Sequence, residues 1–476
     1  MNLYFRTIYK NKFNFLIFTF FLCIFLRFYN INFEDLWFDE QASFLVANPK
    51  LSLEETISLS KNLDYGTSIV FNLILKNYFN IFGYNPDIGR SLTVIFGIIS
   101  ILALAFLNFK MSKNNGYKLV AFLSSINWYL ISYSQELRPY SLLFLLSILS
   151  IIFFFNLLEN NENKILNYNY ILYILISVLA AATHIFFFII FISQLVFLIL
   201  NKSKIKYNFY TKFFYLLIVP AIYLFIMYDF LILQLQLSNQ DFWIQQVKLE
   251  FFVNFFFSRF FGSKIMGIIY LLTLIYLMIS QREKVFKFSS KYFFLFLVLF
   301  FSFFLPLAYS LFNQPILTDR YIIFVLIPIL ILISSLIFEI KIRKVKITLL
   351  IILLASTITN NYIEIFQREV SKPEFKKTIR YIANSKTNNN IFILAKHKIH
   401  QELVGNYTKA VTSNQNINFD FLDKIKESSI NEFWILCYKP LNQFECSPNK
   451  INSNNFIKKD QIEFKLINAT LYEKNF

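Results

Sequence analysis

The sequence predicts an α-helical polytopic membrane protein that carries a small α/β domain at its C-terminal end. Three observations predict this fold class. Of the 476 residues, 56% are hydrophobic and 20% are aromatic, and the mean hydropathy is +0.51, which is unusually apolar for a soluble domain. The apolar residues form runs long enough to cross a bilayer. After residue 361 the composition shifts toward Asn, Lys and Glu, as expected of a domain in water.

Eleven apolar runs are candidate transmembrane helices. The first run is long enough to span, and no small-residue cleavage site follows it, so we expect it to be a membrane anchor and not a signal peptide. The predicted spans are residues 13–29, 91–109, 119–133, 140–158, 170–184, 185–200, 213–230, 265–280, 292–312, 321–338 and 347–360.

The basic residues indicate how these spans are oriented. If the N-terminus is cytoplasmic, the connections on that side carry nineteen Lys and Arg residues, whereas the short outer connections carry five. Cytoplasmic loops of membrane proteins are enriched in these residues. We therefore expect a cytoplasmic N-terminus and an extracytoplasmic C-terminal domain. The same distribution accounts for the net charge of +17, so nucleic acid is not expected as a partner.

Two long segments are predicted outside the membrane. Residues 30–90 form the first outer loop, which we group with the spans in a transmembrane domain of residues 1–361. Residues 362–476 form the soluble domain. Their patterning predicts helices along the membrane surface at 51–62 and 69–82, a helix at 372–382, and short buried strands at 391–395 and 433–438.

The polar residues that stand out against the apolar runs all fall on the predicted outer side. Charges at membrane depth are costly and usually face a cavity or a partner. Each residue taken alone could be a structural ion pair or an interfacial anchor, but their shared side favours a site. They are Asp39 and Glu40 after the first span, Glu136, Arg138 and Tyr140 after the third, His184 at the end of the fifth, and Arg320 and Tyr321 at the start of the tenth.

The chain lacks the motifs of nucleotide-binding proteins. It contains no GxGxxG, P-loop or Asp-x-Asp sequence, and it has only eight glycines. Loops that bind nucleotide phosphates depend on glycine, because their backbone must approach the phosphates closely. We therefore do not expect a nucleotide-bound substrate.

The neighbours Asp39 and Glu40 cannot act as the opposed acids of a glycoside hydrolase, because adjacent side chains point in different directions. One base suffices when the leaving group is stable as an anion, as the phosphate of a lipid-linked sugar is. Only the acceptor hydroxyl then needs deprotonation. Arg138 and Arg320 would hold the phosphate by charge-assisted hydrogen bonds. These residue types fit glycosyl transfer from a lipid phosphate.

Several segments, in order along the chain, resemble the GT-C glycosyltransferases of the protein O-mannosyltransferase and aminoarabinose-transferase type. The likeness covers most of residues 13–340. It is carried by FDE after the first span, NYFNIFGYNPDIGRSLTVIFG (77–97), SQELRPYSLLFLLS (134–147), THIFFF (183–188) and DRYIIFVLIP (319–328).

The resemblance implies roles for individual residues. Asp39 matches the acidic position implicated as catalytic base, with Glu40 as its usual neighbour, so Asp39 and Glu40 are the expected catalytic residues. Arg138 and Arg320 match positions near the donor's phosphate or pyrophosphate. The family uses polyprenyl-phosphate sugars and inverts the anomeric carbon. Many members carry a His-Pro-Pro element before the second span, where this chain reads LDYGTSIVFN (63–72), so acceptor specificity does not transfer. The matching segments also contain Tyr140, two residues after Arg138, and Tyr321, directly after Arg320.

These observations lead to one hypothesis and two alternatives. The hypothesis is an inverting hexosyl- or pentosyltransferase at the outer face of the inner membrane, in which Tyr140, Tyr321, Glu136 and His184 also bind the substrate. The acceptor would be a glycolipid, a glycan or a protein. No cofactor is certain, although Asp39, Glu40 and Glu136 could together host a divalent metal ion. A surface-polysaccharide polymerase or ligase, and a lipid or sugar transporter without chemistry, are the alternatives.

Overall fold

The computed structural model of the chain describes residues 2–63, 68–159, 168–205, 209–237, 258–313, 315–385, 390–393, 398–412, 418–421, 431–438 and 456–474.

Helices dominate the described residues. In chain order they are α1 (Asn2–Phe28), α2 (Phe38–Val46), α3 (Leu53–Leu63), α4 (Ile69–Phe82), α5 (Pro86–Ser112), α6 (Gly116–Ser125), α7 (Trp128–Ser134), α8 (Tyr140–Glu159), α9 (Tyr168–Thr183), α10 (Phe187–Leu200), α11 (Lys202–Ile205), α12 (Phe209–Leu237), α13 (Ser258–Phe261), α14 (Lys264–Ser280), α15 (Arg282–Val285), α16 (Lys291–Phe312), a 3-10 turn (Arg320–Val325), α17 (Leu326–Glu339), α18 (Arg343–Asn361), a π turn (Tyr362–Phe366), α19 (Phe375–Asn384) and α20 (Lys398–Val411).

The chain divides into two compact units. The helical unit comprises residues 1–29, 60–71 and 91–368, and the mixed unit comprises residues 30–59, 72–90 and 369–476. The boundary near residue 368 lies close to the predicted domain boundary at 361. Residues 30–59 and 72–90 of the predicted first outer loop, which we grouped with the spans, cluster with residues 369–476.

The helical unit is built from apolar helices. Six helices of the described chain are long and apolar enough to cross a membrane, and five shorter apolar helices accompany them. The most buried are α8 and the span that contains α17, which are apolar on all faces. In contrast, α12 exposes large side chains such as Phe225, which is 88% exposed. Such exposed apolar surfaces are compatible with the hydrocarbon core of a bilayer. The chain is therefore a membrane protein.

The predicted third span is not one continuous helix. It breaks between α6 and α7, and the break leaves carbonyl groups that no helix partner satisfies. Arg27 on α1 is completely buried and supplies the donors, since its Nη1 lies 2.9 Å from the Ser125 oxygen and its Nη2 lies 3.2 Å from the Ser124 oxygen. The Asn361 side chain donates to the Ile126 oxygen. Irregular backbone at membrane depth is tolerated only with such partners.

A five-stranded sheet lies at the C-terminal end of the mixed unit. Its strands are β1 (Asn390–Ile393), β2 (Asn418–Phe421), β3 (Glu432–Tyr438), β4 (Phe456–Phe464) and β5 (Ile467–Lys474), in the order β2-β1-β3-β5-β4. β1 is parallel to β2 and β3, whereas β5 is antiparallel to β3 and β4.

Helix α19 covers part of this sheet and illustrates why the tail folds. Phe375, Ile379 and Ile382 recur at helical spacing and are buried, and α19 packs against β4, β5 and α20. Tyr407 on α20 meets the Phe375 ring edge to face at 6.1 Å. Helix α2 packs against α20, which brings part of the first outer loop into the same core.

The helices and strands predicted within residues 30–90 and 362–476 correspond to helices and strands of the described chain. The helix predicted at 69–82 is α4, and those predicted at 51–62 and 372–382 correspond to α3 and α19 with their ends moved by about two residues. The strand predicted at 433–438 is β3. Of the strand predicted at 391–395, residues 391–393 belong to β1, and residues 394–395 lie outside the described residues.

A glycine contact on α5 gives a stability prediction. A Cβ at Gly97 would lie 2.7 Å from Cβ of Ser134 on α7, so Gly97→Ala forces a side chain or a helix to move. We expect a loss of about 1–3 kcal/mol, which is typical of overpacking, seen as a lower melting temperature in detergent. Gly405→Ala on α20 is the control, because nothing lies within 4 Å of its Cβ. An unchanged melting temperature for Gly97→Ala would refute the close packing.

Candidate functional site

Six of the predicted site residues come together in the helical unit. Arg138 lies in the connection between α7 and α8, Arg320 opens the 3-10 turn, and His184 follows α9. Both arginines are buried, with 6% and 8% of their surface exposed. Both lie close enough to His184 to act on its ring electrostatically. Two buried cations beside one histidine make the surroundings of its ring locally electropositive.

Aromatic rings line this electropositive site. The Arg138 guanidinium lies 5.9 Å from the centre of the Tyr140 ring, and that of Arg320 lies 5.7 Å from the Tyr321 ring. The His184 ring lies 4.7 Å from Tyr321 and 6.2 Å from Tyr140. Rings stabilise buried guanidinium groups through their negative faces. We call these five residues the arginine site.

The hydrogen bonding of His184 fixes which ring nitrogen can donate. Its Nδ1 accepts the backbone N–H of Phe186 at 3.2 Å. A neutral imidazole that accepts at Nδ1 carries its hydrogen on Nε2. His184 can therefore present an N–H donor to an anionic ligand without becoming charged.

Acidic residues stand beside the arginine site. Asp319 is buried and lies 3.5 Å from the guanidinium of Arg259, which is half exposed. Glu136 is half buried, and Glu136, Asp319 and Arg320 all act electrostatically on Tyr133. The predicted residue Glu136 therefore lies in the same neighbourhood as Arg320.

The loop that carries Arg138 is fixed by Gln135 at its start. The Gln135 side chain donates from Nε2 to the backbone oxygens of Arg27 at 3.1 Å and Tyr29 at 2.9 Å, and its Oε1 accepts from Arg368 at 3.2 Å. These bonds tie the end of α7 to the end of α1. The start of the loop is consequently held by polar contacts to the end of α1 and to Arg368.

The other two predicted residues, Asp39 and Glu40, lie in the first turn of α2 in the mixed unit. Glu40 is completely buried, and Arg90 holds its carboxylate with contacts of 3.0–3.2 Å from Nε and Nη2. Lys372 Nζ lies 2.8 Å from the second Glu40 oxygen, and the Trp37 backbone N–H donates to the same oxygen at 3.3 Å. Asp39 is half buried.

Arg90 also holds the segment that leads into α2. Its Nη1 donates to the backbone oxygens of Glu34 at 2.5 Å and Ile31 at 3.2 Å, and its Nη2 donates to that of Asp35 at 3.2 Å. One guanidinium therefore binds a carboxylate and three carbonyls. Arginine suits this task because its donors form a rigid fork.

Asp35 lies at the N-terminus of α19 in the mixed unit. Its Oδ2 accepts the backbone N–H of Lys376 at 2.7 Å, at the N-terminus of α19. Burial raises the pKa of Asp35, while the Lys376 hydrogen bond and the charges of Lys376 and Arg90 oppose the rise. A carboxylate at a helix N-terminus stabilises the helix.

Metal binding was left open by the sequence. Within neither unit do the described residues bring three or more His, Cys, Asp or Glu side chains together at a possible metal site. Asp39 and Glu40 belong to the mixed unit, and Glu136 belongs to the helical unit.

Sequence reasoning did not find Arg90, Lys372 or the Asp319–Arg259 pair. A signal existed for Arg90, since a charge in the first turns of an apolar helix needs a buried partner. No local signal existed for Lys372, which lies 332 residues from Glu40.

Comparison with known proteins bears on the fold. No protein-family model matches the chain, and no curated protein matches it. Among solved structures, ArnT from Cupriavidus metallidurans in the apo state is 9% identical, with a TM-score of 0.62 over 98% of each chain. The same protein bound to undecaprenyl phosphate gives 10% identity and a TM-score of 0.55, over 96% of this chain and 97% of that one.

A second solved protein is the archaeal oligosaccharyltransferase AglB from Archaeoglobus fulgidus in complex with an inhibitory peptide and a dolichol-phosphate. It is 11% identical, with a TM-score of 0.51 over 89% of this chain and 69% of that one. ArnT is an aminoarabinose transferase, and both proteins are GT-C glycosyltransferases. The GT-C-like fold and the small C-terminal α/β domain predicted from the sequence are confirmed.

The contacts of Arg90 give a testable prediction. Arg90→Met leaves the fully buried Glu40 with one cation fewer and removes the donors to three carbonyls. Breaking a buried pair costs about 3–5 kcal/mol, so we expect a large fall in melting temperature in detergent. Lys459→Met, which breaks an exposed pair with Glu432 on the sheet, should change it little. Equal effects of the two substitutions would contradict a central role for Arg90.

Proposed function

We propose that this chain, which has the fold of the GT-C glycosyltransferases, is a membrane glycosyltransferase that moves a sugar from a polyprenyl-phosphate donor to an acceptor hydroxyl. The observation that carries the proposal is the arginine site, where two buried arginines converge on His184 among tyrosine rings. A buried site with two guanidinium groups suits an anion with several oxygens, such as a phosphate. The solved structures of ArnT with undecaprenyl phosphate and AglB with dolichol-phosphate support this choice of donor.

The reaction is a single displacement at the anomeric carbon. The acceptor oxygen forms a bond to that carbon while the bond to the phosphate oxygen breaks, and the electron pair leaves with the phosphate. Asp39 takes the proton of the acceptor hydroxyl. Arg138 and Arg320 stabilise the charge that develops on the departing polyprenyl phosphate. Attack from the face opposite the leaving group inverts the configuration.

The remaining predicted residues bind the donor or hold the helix that carries Asp39. His184 donates from Nε2 to a phosphate oxygen, and Tyr140, Tyr321 and Glu136 bind the donor around the two arginines. Glu40 was predicted as catalytic together with Asp39. Because its carboxylate is buried and bonded to Arg90 and Lys372, we assign it to holding α2 and assign the proton transfer to Asp39.

The proposed location is the bacterial inner membrane, with the active site and the C-terminal domain on the extracytoplasmic side. The nineteen basic residues of the predicted cytoplasmic connections, against five in the short outer ones, support this orientation. Polyprenyl-phosphate sugars carry a head group at the membrane surface, which suits residues at the ends of the spans. The acceptor is a glycolipid, a glycan or a protein with an accessible hydroxyl.

Substitution of Asp39 tests the chemistry. We expect Asp39→Asn to lower the transfer rate by roughly 10²–10⁴-fold, because an amide side chain cannot act as a base near neutral pH. The assay follows sugar transfer from short-chain polyprenyl-phosphate hexoses and pentoses to membrane acceptors. Glu54→Gln is the matched control, since Glu54 is an exposed acid on α3. Undiminished transfer by Asp39→Asn would contradict the assignment of Asp39 as the base.

Cysteine labelling tests the orientation. Asn62→Cys on α3 and Lys287→Cys after α15 place thiols at exposed positions on opposite predicted sides. We expect a membrane-impermeant maleimide to label the first in intact cells and the second only after lysis. The unsubstituted chain gives the background. The reverse pattern would invert the topology.

A further inference from the structure

A short segment after the helical unit pairs with the acidic stretch that leads into α2. Ser371 donates from its backbone N–H at 2.8 Å and from its hydroxyl at 2.6 Å to the Glu34 carboxylate. Lys372 donates to Glu40, and the backbone N–H of Lys376 donates to Asp35. Three carboxylates between residues 34 and 40 are therefore each held by residues 371–376, which we call the clasp.

The clasp brackets Asp39 on both sides. Lys372 Nζ lies 2.8 Å from Glu40, the residue after Asp39, and 5.9 Å from the ring of Trp37, two residues before it. Glu40 in turn accepts the Trp37 backbone N–H, which closes the first turn of α2. The backbone of Asp39 is consequently fixed by neighbours that the clasp holds.

A second contact anchors the clasp itself. Lys376 Nζ pairs with Asp87 at 2.8 Å, at the start of α5, and Arg90 lies one turn further along that helix. Arg90 and Lys372 bind the same Glu40 carboxylate from two parts of the chain. The acidic stretch is thus held between α5 and the clasp, and both supply cations.

We propose that the clasp is a positioning element for the proton acceptor Asp39, so that the C-terminal segment is part of the catalytic machinery and not an appendage. The inference rests on the proposed function. A general base must lie within hydrogen-bond reach of the proton it takes, and a misplacement of about 1 Å can cost about 10²-fold in rate. Lys372 is the positioning residue to vary, because it acts through its side chain.

The test compares three substitutions in the full chain, purified in detergent. Lys372→Met removes the cation, Lys372→Arg retains it, and Lys377→Met removes a lysine of the neighbouring helix whose ion pair is with the partly exposed Glu374. Transfer from short-chain polyprenyl-phosphate hexoses and pentoses to extracted membrane acceptors is measured as kcat and KM, beside the melting temperature. Wild type and Asp39→Asn are run in parallel.

We expect Lys372→Met to lower kcat at least about tenfold, with the KM for the donor within about twofold, because donor contacts are assigned to the arginine site. Lys372→Arg should recover most of the loss, and Lys377→Met should match wild type. Glu40→Gln combined with Lys372→Met should be less than additive, since the two side chains act through each other.

Different outcomes identify which idea fails. An unchanged kcat for Lys372→Met, while Asp39→Asn is inactive, overturns the positioning role and leaves the proposed function standing. A loss that Lys372→Arg does not recover, or that a lower melting temperature accounts for, also overturns it. Full activity of Asp39→Asn overturns the base assignment and the clasp's role with it. No transfer by wild type from any donor overturns the proposed function as well.

Discussion

The buried pair of Glu40 and Arg90 is the interaction on which the mixed unit depends. Taking either charge out of water costs several kcal/mol, so the pair persists only because further hydrogen bonds satisfy both groups. Arg90 meets that need with the carbonyls of residues 31, 34 and 35, and Glu40 meets it with Lys372 and the Trp37 N–H. The start of α5, the start of α2 and the tail are therefore fixed together.

The helical unit contains buried arginines in two kinds of surroundings. In each, neighbouring groups offset the free energy of taking the guanidinium charge out of water. Arg27 binds backbone oxygens where the third predicted span breaks, which marks it as structural. Arg138 and Arg320 instead lie among Tyr140, Tyr321 and His184. A guanidinium group beside aromatic rings and an imidazole N–H can take part in the recognition of an anion.

Much of the fold could be predicted because its determinants are local. The apolar runs and the helical spacing of Phe375, Ile379 and Ile382 each depend on neighbouring residues, and they gave correct helices. The sequence placed Arg138, His184 and Arg320 on one predicted side of the membrane, and in the structure both arginines lie near His184. The break at Ile126 was missed, because the run from 119 to 133 is apolar throughout and its carbonyl partners, Arg27 and Asn361, are distant in sequence.

The sequence by itself determined that the chain is a polytopic membrane protein with a small α/β tail, and which polar residues border the spans. Hydropathy and periodicity decide these features residue by residue. Only the tertiary structure decided that Glu40 is a fully buried ion-pair partner while its neighbour Asp39 is partly buried, and that Lys372 reaches Glu40 across 332 residues. The physical reason is that a charge's role depends on the partners folding brings to it.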